Sequence, residues 1–319
     1  MWKAILCIGL FASASTAAAQ GWPTRQIQLV VPYAPGGVVD FIGRTIGQRL
    51  SAQVGQPVVV DNRPGAGGII GVEYAARSGP DGHTIVVMDP AIVINPSLQE
   101  KVPYELNKDL QTIAAIGSSP LVLVVNPSVP ATTLAQLIDY ARASPGKLNF
   151  VSAGIGTTPH MAGELLKLRA GVSMTHVPYK GSGPAMSDLV AGQVQTGFSS
   201  ITAALPFIRD NRLRPLATTG SKRSAALADV PTVIESGYPG FEVDLWLGVF
   251  SPANIPAPLV ARMNAEIGKA LEDSAVRAAF AKVGVEPRII GVDESALFVR
   301  AEFEKWANVV RDAKLKEAR

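Results

Sequence analysis

Residues 27–50 read IQLVV-PYAPGG-VVDFIGRTIGQRL, and this pattern decides the fold class. The mostly apolar run from Ile27 to Val31 is typical of a buried parallel strand, and Pro32 ends it. The loop at 33–37 contains Pro and two glycines, which are turn-forming residues. From Asp40 to Leu50 the apolar residues recur at helical spacing. The segment therefore predicts a strand, a glycine-rich loop and a helix in succession.

Short apolar runs and amphipathic segments alternate along the rest of the chain. A strand at 58–60, a helix at 69–77 and a strand at 84–88 complete a βαβαβ nucleus of a doubly wound sheet. The alternation then restarts. It predicts strands at 121–125, 148–152, 175–179, 194–198, 214–218 and 246–250. It also predicts helices at 133–143 (with Thr132 as the N-cap), 182–191, 258–273, 274–283 and 294–314. A further helix is predicted after the loop at 154–160 and ends at residue 169. We expect an α/β protein of two such units, with a helical tail that packs back on the first.

The composition is that of a compact globular protein. Hydrophobic residues make up 47% of the 319 residues and charged residues 17%. The 29 basic and 26 acidic residues leave a formal charge of +3, which is too small a surplus over this length for a nucleic-acid-binding surface. We therefore expect no nucleic-acid partner.

The first residues predict export. Lys3 supplies a positive charge, residues 4–14 are apolar, and Ala17-Ala18-Ala19 forms a small-residue cleavage site. We predict a signal peptide at 1–19 that is removed during export to the periplasm. The chain's single cysteine, Cys7, lies within this segment. The mature protein is therefore expected to have no disulfide, cysteine nucleophile or cysteine-ligated metal.

Glycine-rich loops follow two of the predicted strands, at 33–40 and at 154–160. Such loops direct backbone N–H groups at a ligand, and the N-terminus of the following helix favours an anion. A nucleotide is not indicated. The first loop lacks the lysine of a phosphate-binding loop, and Pro159 occupies the third glycine position of the dinucleotide pattern in the second.

The sequence contains no organised catalytic group. It has no G-x-S-x-G motif, and its histidines lack the paired spacing of a metal site. His83 lies in a turn and is expected to be solvated, whereas His176 is expected in the core. His160 is interpreted as ordering the second loop or contacting a ligand. We predict no enzymatic activity, no metal and no cofactor.

Further polar and aromatic residues have two interpretations each. Asp40 is favourable at a helix start without any ligand. Asp89 follows a predicted strand, so it is either an ordinary turn residue or the partner of a hydrogen-bond donor on a ligand. Tyr179 and Trp246 either wall a pocket or pack in the core.

Several motifs occur in an order that resembles one family. They are Trp22-Pro23-Thr24-Arg25, Pro35-Gly36-Gly37 with Asp40, residues 59–68 (VVDNRPGAGG), Pro80-Asp81-Gly82-His83-Thr84, Gly154-Ile155-Gly156-Thr157 with His160, Val177-Pro178-Tyr179-Lys180-Gly181, Val230-Pro231-Thr232, Glu235-Ser236-Gly237 and Trp246. The chain resembles the Bug-type receptors, the extracytoplasmic solute-binding components of tripartite tricarboxylate transporters.

The resemblance implies a two-lobed Venus-flytrap fold of the periplasmic-binding-protein type. Each lobe would be a Rossmann-like sheet flanked by helices. The expected division is residues 20–122 plus 243–319 for lobe 1 and residues 123–242 for lobe 2. In this fold the ligand lies between the lobes.

The resemblance also implies ligand-binding residues. In the first lobe they are Tyr33, Ala34, Pro35, Gly36, Gly37 and Asp40, and in the second Gly156, Thr157, Thr158 and His160. Thr157 stands where a serine is common, and its hydroxyl is still a donor. Many relatives have an acid or amide near Ser199 and Ser200. Their replacement by serines argues against transferring a relative's ligand. Asp89, Tyr179 and Ser199 complete the candidate site.

The function implied is capture of a small carboxylate, which would be a dicarboxylate, an aromatic carboxylate or an amino acid. The protein would act as a monomer that delivers its ligand to the membrane subunits of a transporter. A periplasmic sensor that presents a metabolite to a sensor kinase would have the same fold and site. A secreted hydrolase is the third alternative, and the lack of an organised base argues against it.

Overall fold

The computed structural model describes residues 21–179 and 181–316. The predicted signal peptide at 1–19 and Cys7 therefore lie outside the described residues. Within the two described ranges, no helix combines the length and hydrophobicity that a membrane crossing requires.

Ten strands of the described chain form one mixed sheet in the order β2-β1-β3-β9-β4-β7-β5-β6, and β8 and β10 also pair with β4. The strands are β1 (Ile27–Val31), β2 (Val58–Asn62), β3 (Thr84–Met88), β4 (Leu110–Val125), β5 (Asn149–Ser152), β6 (Thr175–Pro178), β7 (Thr196–Ser200), β8 (Arg214–Thr218), β9 (Asp244–Pro252) and β10 (Glu286–Pro287). The α/β prediction is confirmed.

Helices pack against this sheet. They are α1 (Val38–Val54), α2 (Ile69–Ala76), α3 (Ala91–Leu98), α4 (Leu106–Asp109), α5 (Leu134–Ala143), α6 (Thr158–Ala170), α7 (Ser182–Val190), α8 (Ile201–Arg209), α9 (Ala257–Glu272), α10 (Ser274–Lys282) and α11 (Val292–Asp312). Short 3₁₀ turns occur at Ala66–Gly68 and Ala225–Leu227. The C-terminal helices pack back as predicted, since α9 contacts α1 and α11 contacts β4 and α3.

Strand β4 connects the two halves of the sheet. Its first part, from Leu110 to Pro120, pairs antiparallel with β9, and its last part, from Leu121 to Val125, pairs with β7 and β8. Register shifts interrupt the β4–β9 ladder, which is where β-bulges bend a strand. One strand therefore belongs to both halves and fixes their connection.

The parallel strands set the position of the loops. β1 pairs in parallel with β2 and β3, and β5 pairs in parallel with β6 and β7. Parallel neighbours end at the same edge of a sheet, so the loops after these strands gather at the carboxyl ends. In each half, these ends carry the loops that the sequence singled out.

A buried tryptophan pair ties β9 to α11. Both indole N–H groups donate to Oε2 of Glu302, over 2.9 Å from Trp246 and 3.1 Å from Trp306. Trp246 is 1% exposed. It is therefore a core residue and does not wall the pocket.

Some local predictions were wrong. The N-cap of α5 is Thr133, whose hydroxyl accepts a hydrogen bond from the Gln136 amide, and not Thr132, which binds the Gln136 side chain. His83 was expected to be solvated but is 6% exposed. Its Nε2 accepts the Thr24 amide at 3.2 Å, and its ring packs near Trp22.

The close approach of α6 to the sheet generates a stability prediction. A Cβ atom at Gly163 would overlap the Phe150 ring on β5. Gly163→Ala should therefore destabilise the protein by about 1–3 kcal/mol through overpacking, although alanine is the better helix former. Urea unfolding monitored by circular dichroism measures the change.

The matched control is Gly268→Ala within α9. A Cβ atom there meets only an ordinary contact, 3.6 Å from Ile289. Gly268→Ala should leave the free energy of unfolding unchanged or raise it by up to about 1 kcal/mol. Equal effects of the two substitutions would contradict the packing argument.

Candidate functional site

A cavity of about 530 Å³ opens where the carboxyl ends of the parallel strands meet. Both glycine-rich loops contribute to its wall, as do the ends of β3 and β7 and one face of α7. Its lining residues are Tyr33, Ala34, Pro35, Gly37, Val38, Val39, Asp89, Leu121, Val151, Ser152, Ala153, Thr157, Thr158, Pro159, Gly181, Ser182, Ala185, Met186, Leu189, Phe198, Ser199, Ser200 and Leu245.

Three helices begin at this cavity without a side-chain cap. Their N-cap residues are Gly37 for α1, Thr157 for α6 and Gly181 for α7, and none of them caps the helix with its side chain. The first N–H groups of a helix have no partner within it and carry a partial positive charge. The converging N-termini therefore provide a site for an anion.

A fourth helix at the cavity is different. Helix α8 begins after Ser200, whose hydroxyl accepts a hydrogen bond from the Ala203 amide at 3.4 Å. Its side-chain cap already satisfies one of the free donors of the first turn. The helices that begin at this cavity without a side-chain cap are therefore α1, α6 and α7.

The first loop is held by an acid behind it. Oδ2 of Asp40 accepts the Gly36 amide at 2.9 Å, and Oδ1 accepts Nδ2 of Asn62 at 2.8 Å. Burial opposes ionisation of Asp40, but hydrogen bonds from Arg44 and Asn62 outweigh it and lower the pKa of the carboxyl. The ionised Asp40 carboxylate therefore fixes the conformation of the first loop, and it does not line the cavity.

The second loop is held by internal hydrogen bonds. Oγ1 of Thr157 donates to the Gly154 carbonyl at 2.7 Å, and Nδ1 of His160 accepts the Gly156 amide at 3.2 Å. Gly156 adopts a positive φ of 77°, and a Cβ atom there would lie 3.1 Å from Leu98. The loop therefore needs glycine at this position for both conformation and space.

The buried His160 stacks on the half-buried His176 beneath this loop. Their ring centroids lie 4.0 Å apart, and those of His176 and Phe150 lie 4.8 Å apart. Nε2 of His176 contacts the Ser152 hydroxyl at 2.6 Å, so its ring has a hydrogen-bond partner, but His176 is half-buried and not the core residue that was predicted. Burial lowers the pKa of His160 to about 3 and that of His176 to about 4. Both rings are therefore neutral at pH 7.

Asp89 is the only acidic or basic side chain among the described residues of the cavity wall. Its Oδ1 accepts the Tyr33 hydroxyl at 2.8 Å and the Ala91 amide at 3.0 Å. Burial raises the pKa of the Asp89 carboxyl, and these hydrogen bonds offset only part of the effect. Asp89 is thus both a turn residue and a group that a ligand can reach.

Comparison with known proteins identifies the family of the chain. Residues 42–315 match the family model for the tripartite tricarboxylate transporter family receptor. The chain is a member of this receptor family. Protein BugT of Bordetella pertussis is 39% identical over 324 residues, which cover 99% of this chain and 99% of BugT.

Solved structures of similar receptors confirm the predicted two-lobed fold class. Rpa4515 of R. palustris, solved with adipate, is 35% identical and superposes with a TM-score of 0.81 over 92% of this chain and 98% of its own. The periplasmic binding protein BugD is 31% identical, with a TM-score of 0.79 over 93% of this chain and 100% of its own. Family and fold are those of periplasmic solute-binding receptors.

The predicted site residues of this receptor fall into two groups. The first group lines the cavity and consists of Tyr33, Ala34, Pro35, Gly37, Asp89, Thr157, Thr158 and Ser199. The second group lies outside the lining and consists of Gly36, Asp40, Gly156, His160 and Tyr179. The Tyr179 hydroxyl donates to Asp188 at 2.6 Å, and this hydrogen bond raises the pKa of Tyr179 to about 12.

The sequence analysis missed the third helix N-terminus and the apolar wall. Gly181 and Ser182 follow β6 just as the other loops follow β1 and β5, so the same signal was present there. Met186 and Leu189 were read only as part of a helix. Within 21–179 and 181–316, no group of His, Cys, Asp or Glu side chains could hold a metal ion.

The stacked histidines of the receptor generate a pH prediction. Their folded-state pKa values lie below the unfolded value of about 6.5, so only the unfolded chain takes up protons as the pH falls from there. Stability should therefore decrease below pH 6.5, with up to about 1.4 kcal/mol per pH unit from His160 until its folded-state value near 3 is reached, and with a smaller contribution from the half-buried His176 because solvent screens its charge.

Urea unfolding of wild type and His160→Gln between pH 7.5 and 4.5 tests this. The variant should lose less stability than wild type below pH 6.5, and the two profiles should run parallel above it. Parallel profiles over the whole range would contradict the assignment of a neutral buried His160.

Proposed function

We propose that this receptor captures a small carboxylate in the periplasm and delivers it to the membrane subunits of a tripartite tricarboxylate-type transporter. The observation that carries the proposal is the convergence of three uncapped helix N-termini on one cavity. The adipate reported for the Rpa4515 structure supports the same ligand chemistry. The receptor acts as a monomer after a signal peptide at 1–19 is removed.

Backbone groups hold the carboxylate in this proposal. The donors are the first amides of α1 at Val38 and Val39, of α6 at Thr158, and of α7 at Ser182. Pro159 in α6 and Pro184 in α7 have no N–H, so each of these helices offers one donor fewer in its first turn than α1. Charge-assisted hydrogen bonds from these amides are stronger than neutral ones. The carboxylate is thereby held between the loops at 33–37 and 154–157.

Closure of two lobes is proposed as the binding step. Lobe 1 comprises residues 20–122 and 243–319, and lobe 2 comprises residues 123–242. These boundaries fall close to the pair Pro120–Asp244, the last of the β4–β9 ladder. A ligand that contacts both loops binds the closed state more tightly than the open one and shifts the population towards it.

Binding without catalysis fits the surroundings of the cavity. None of the three histidines lines its described wall, and the pKa values of His160 and His176 are far too low for a base at neutral pH. Asp89 has no nucleophile or base hydrogen-bonded to it among the described residues, only the Tyr33 hydroxyl and its own turn. We therefore propose a receptor and no hydrolase.

A thermal-shift screen tests the ligand class. The mature protein is unfolded and refolded to remove any bound ligand, and then heated with dicarboxylates, aromatic carboxylates, amino acids, nucleotides, sugars and metal ions. A carboxylate at one hundred times its dissociation constant should stabilise the protein by about 2.7 kcal/mol. Shifts from nucleotides or sugars and from no carboxylate would overturn the proposal.

Thr157→Asp tests the position of the carboxylate. Aspartate is a favoured N-cap residue, but it cannot donate the hydrogen bond that the Thr157 hydroxyl makes to the Gly154 carbonyl, so folding stability should fall by about 1 kcal/mol. Its charge would face the ligand carboxylate, and like charges in close contact cost several kcal/mol. Calorimetry should show a dissociation constant raised by about 100-fold or more.

The matched control for this variant is Thr133→Asp. Thr133 is the N-cap of α5 and does not line the cavity. The substitution Thr133→Asp introduces the same charge at another helix N-cap and should leave ligand affinity unchanged. Unchanged affinity in Thr157→Asp, or equal losses in both variants, would place the carboxylate elsewhere.

A further inference from the structure

The wall of the cavity away from the helix N-termini is apolar. Leu121, Val151, Met186, Leu189, Phe198 and Leu245 line it. Except for Leu245, each of these side chains is at least nine-tenths buried, and they extend two of the hydrophobic clusters of the core. Burial of a methylene group on such a wall tightens binding by about fourfold. The wall therefore suits a hydrocarbon chain or ring attached to the carboxylate.

Asp89 interrupts this apolar surface. The Tyr33 hydroxyl and the Ala91 amide both donate to Oδ1, so Oδ2 accepts neither of these hydrogen bonds. Two donors on one oxygen fix the orientation of the carboxyl group. The site is therefore a preorganised acceptor on a wall that otherwise offers few polar groups.

The charge of Asp89 distinguishes between two kinds of ligand. Among the described residues of the wall no Lys, Arg or His is present to compensate a second anion. A second ligand carboxylate near Asp89 would either meet a like charge in a partly desolvated cavity or require one of the two carboxyl groups to take up a proton, and both cost free energy at neutral pH. A hydroxyl or an ammonium group would instead donate a charge-assisted hydrogen bond to it.

We propose, on the basis of the function proposed above, that the ligand has a single carboxylate, an apolar body and a separate hydrogen-bond donor, and that Asp89 is the specificity-determining acceptor of that donor. The receptor thereby disfavours simple dicarboxylates such as the adipate of the Rpa4515 structure. A hydroxyl and an ammonium group can both donate a hydrogen bond to Asp89, and the experiment below distinguishes between these two kinds of ligand.

Four acids with the same six-carbon chain provide the test. They are hexanoate, 6-hydroxyhexanoate, 6-aminohexanoate and adipate, titrated by calorimetry into refolded wild-type protein. One of the two donor-bearing acids should bind at least about tenfold more tightly than hexanoate, because hydrogen bonds to charged groups are strong. Adipate should bind more weakly than hexanoate.

Asp89→Asn changes the order of these affinities. Asparagine has no charge and carries a donor of its own. The ratio of the affinity for the donor-bearing acid to that for hexanoate should therefore fall about tenfold, and the affinity for adipate should rise by a similar factor. The matched control is Asp139→Asn on α5, where the side chain is 76% exposed and far from the lining. It should preserve the wild-type order.

Each result decides the proposal. Adipate binding to wild type at least as tightly as the donor-bearing acids would overturn it, and so would an order unchanged by Asp89→Asn; the carboxylate receptor would stand in both cases. Failure of all four acids to bind would overturn the present proposal, whereas the carboxylate receptor is decided by the wider thermal-shift screen. The wild-type order needs no variant, so the test remains decisive even if Asp89→Asn folds poorly.

Discussion

Unpaired N–H groups at the N-termini of α1, α6 and α7 are the constraint on which the site depends. A helix end that is left without a side-chain cap is costly unless water or a ligand satisfies it. Most of the polar side chains near the loops act as supports instead: Asp40 holds the first loop, and His160 holds the second. The chain thus keeps its own side chains away from the donors that an anion would use.

The sheet makes this convergence a consequence of topology. Parallel pairing brings the ends of β1 and β3 together in one half and those of β5, β6 and β7 in the other. β4 runs through both halves as a single 16-residue strand. The helix N-termini are therefore positioned by backbone hydrogen bonding over long sequence distances, and the side chains of the loops only refine their geometry.

The sequence was sufficient for the features that depend on local pattern. β1, β3 and β8 were predicted with their observed bounds, and both glycine-rich loops reach the cavity as expected. The first part of β4 was missed because Gly117, Ser118 and Ser119 break its apolar pattern and its partner β9 lies far along the chain. Helix α8 contains Pro206, which argues against a helix in a sequence. The Tyr33–Asp89 hydrogen bond joins the loops that follow two different strands, β1 and β3, so no local pattern indicates it.

The central claim is that backbone donors select the negative charge of a carboxylate. Calorimetric titration of the refolded protein with 6-hydroxyhexanoate and with its uncharged amide, 6-hydroxyhexanamide, tests it most directly, since the two compounds differ only at the end that the helices bind. The account predicts that the carboxylate binds and that the amide binds at least about 100-fold more weakly, because charge-assisted hydrogen bonds are replaced by neutral ones at several donors. Equal affinities, or tighter binding of the amide, would contradict it.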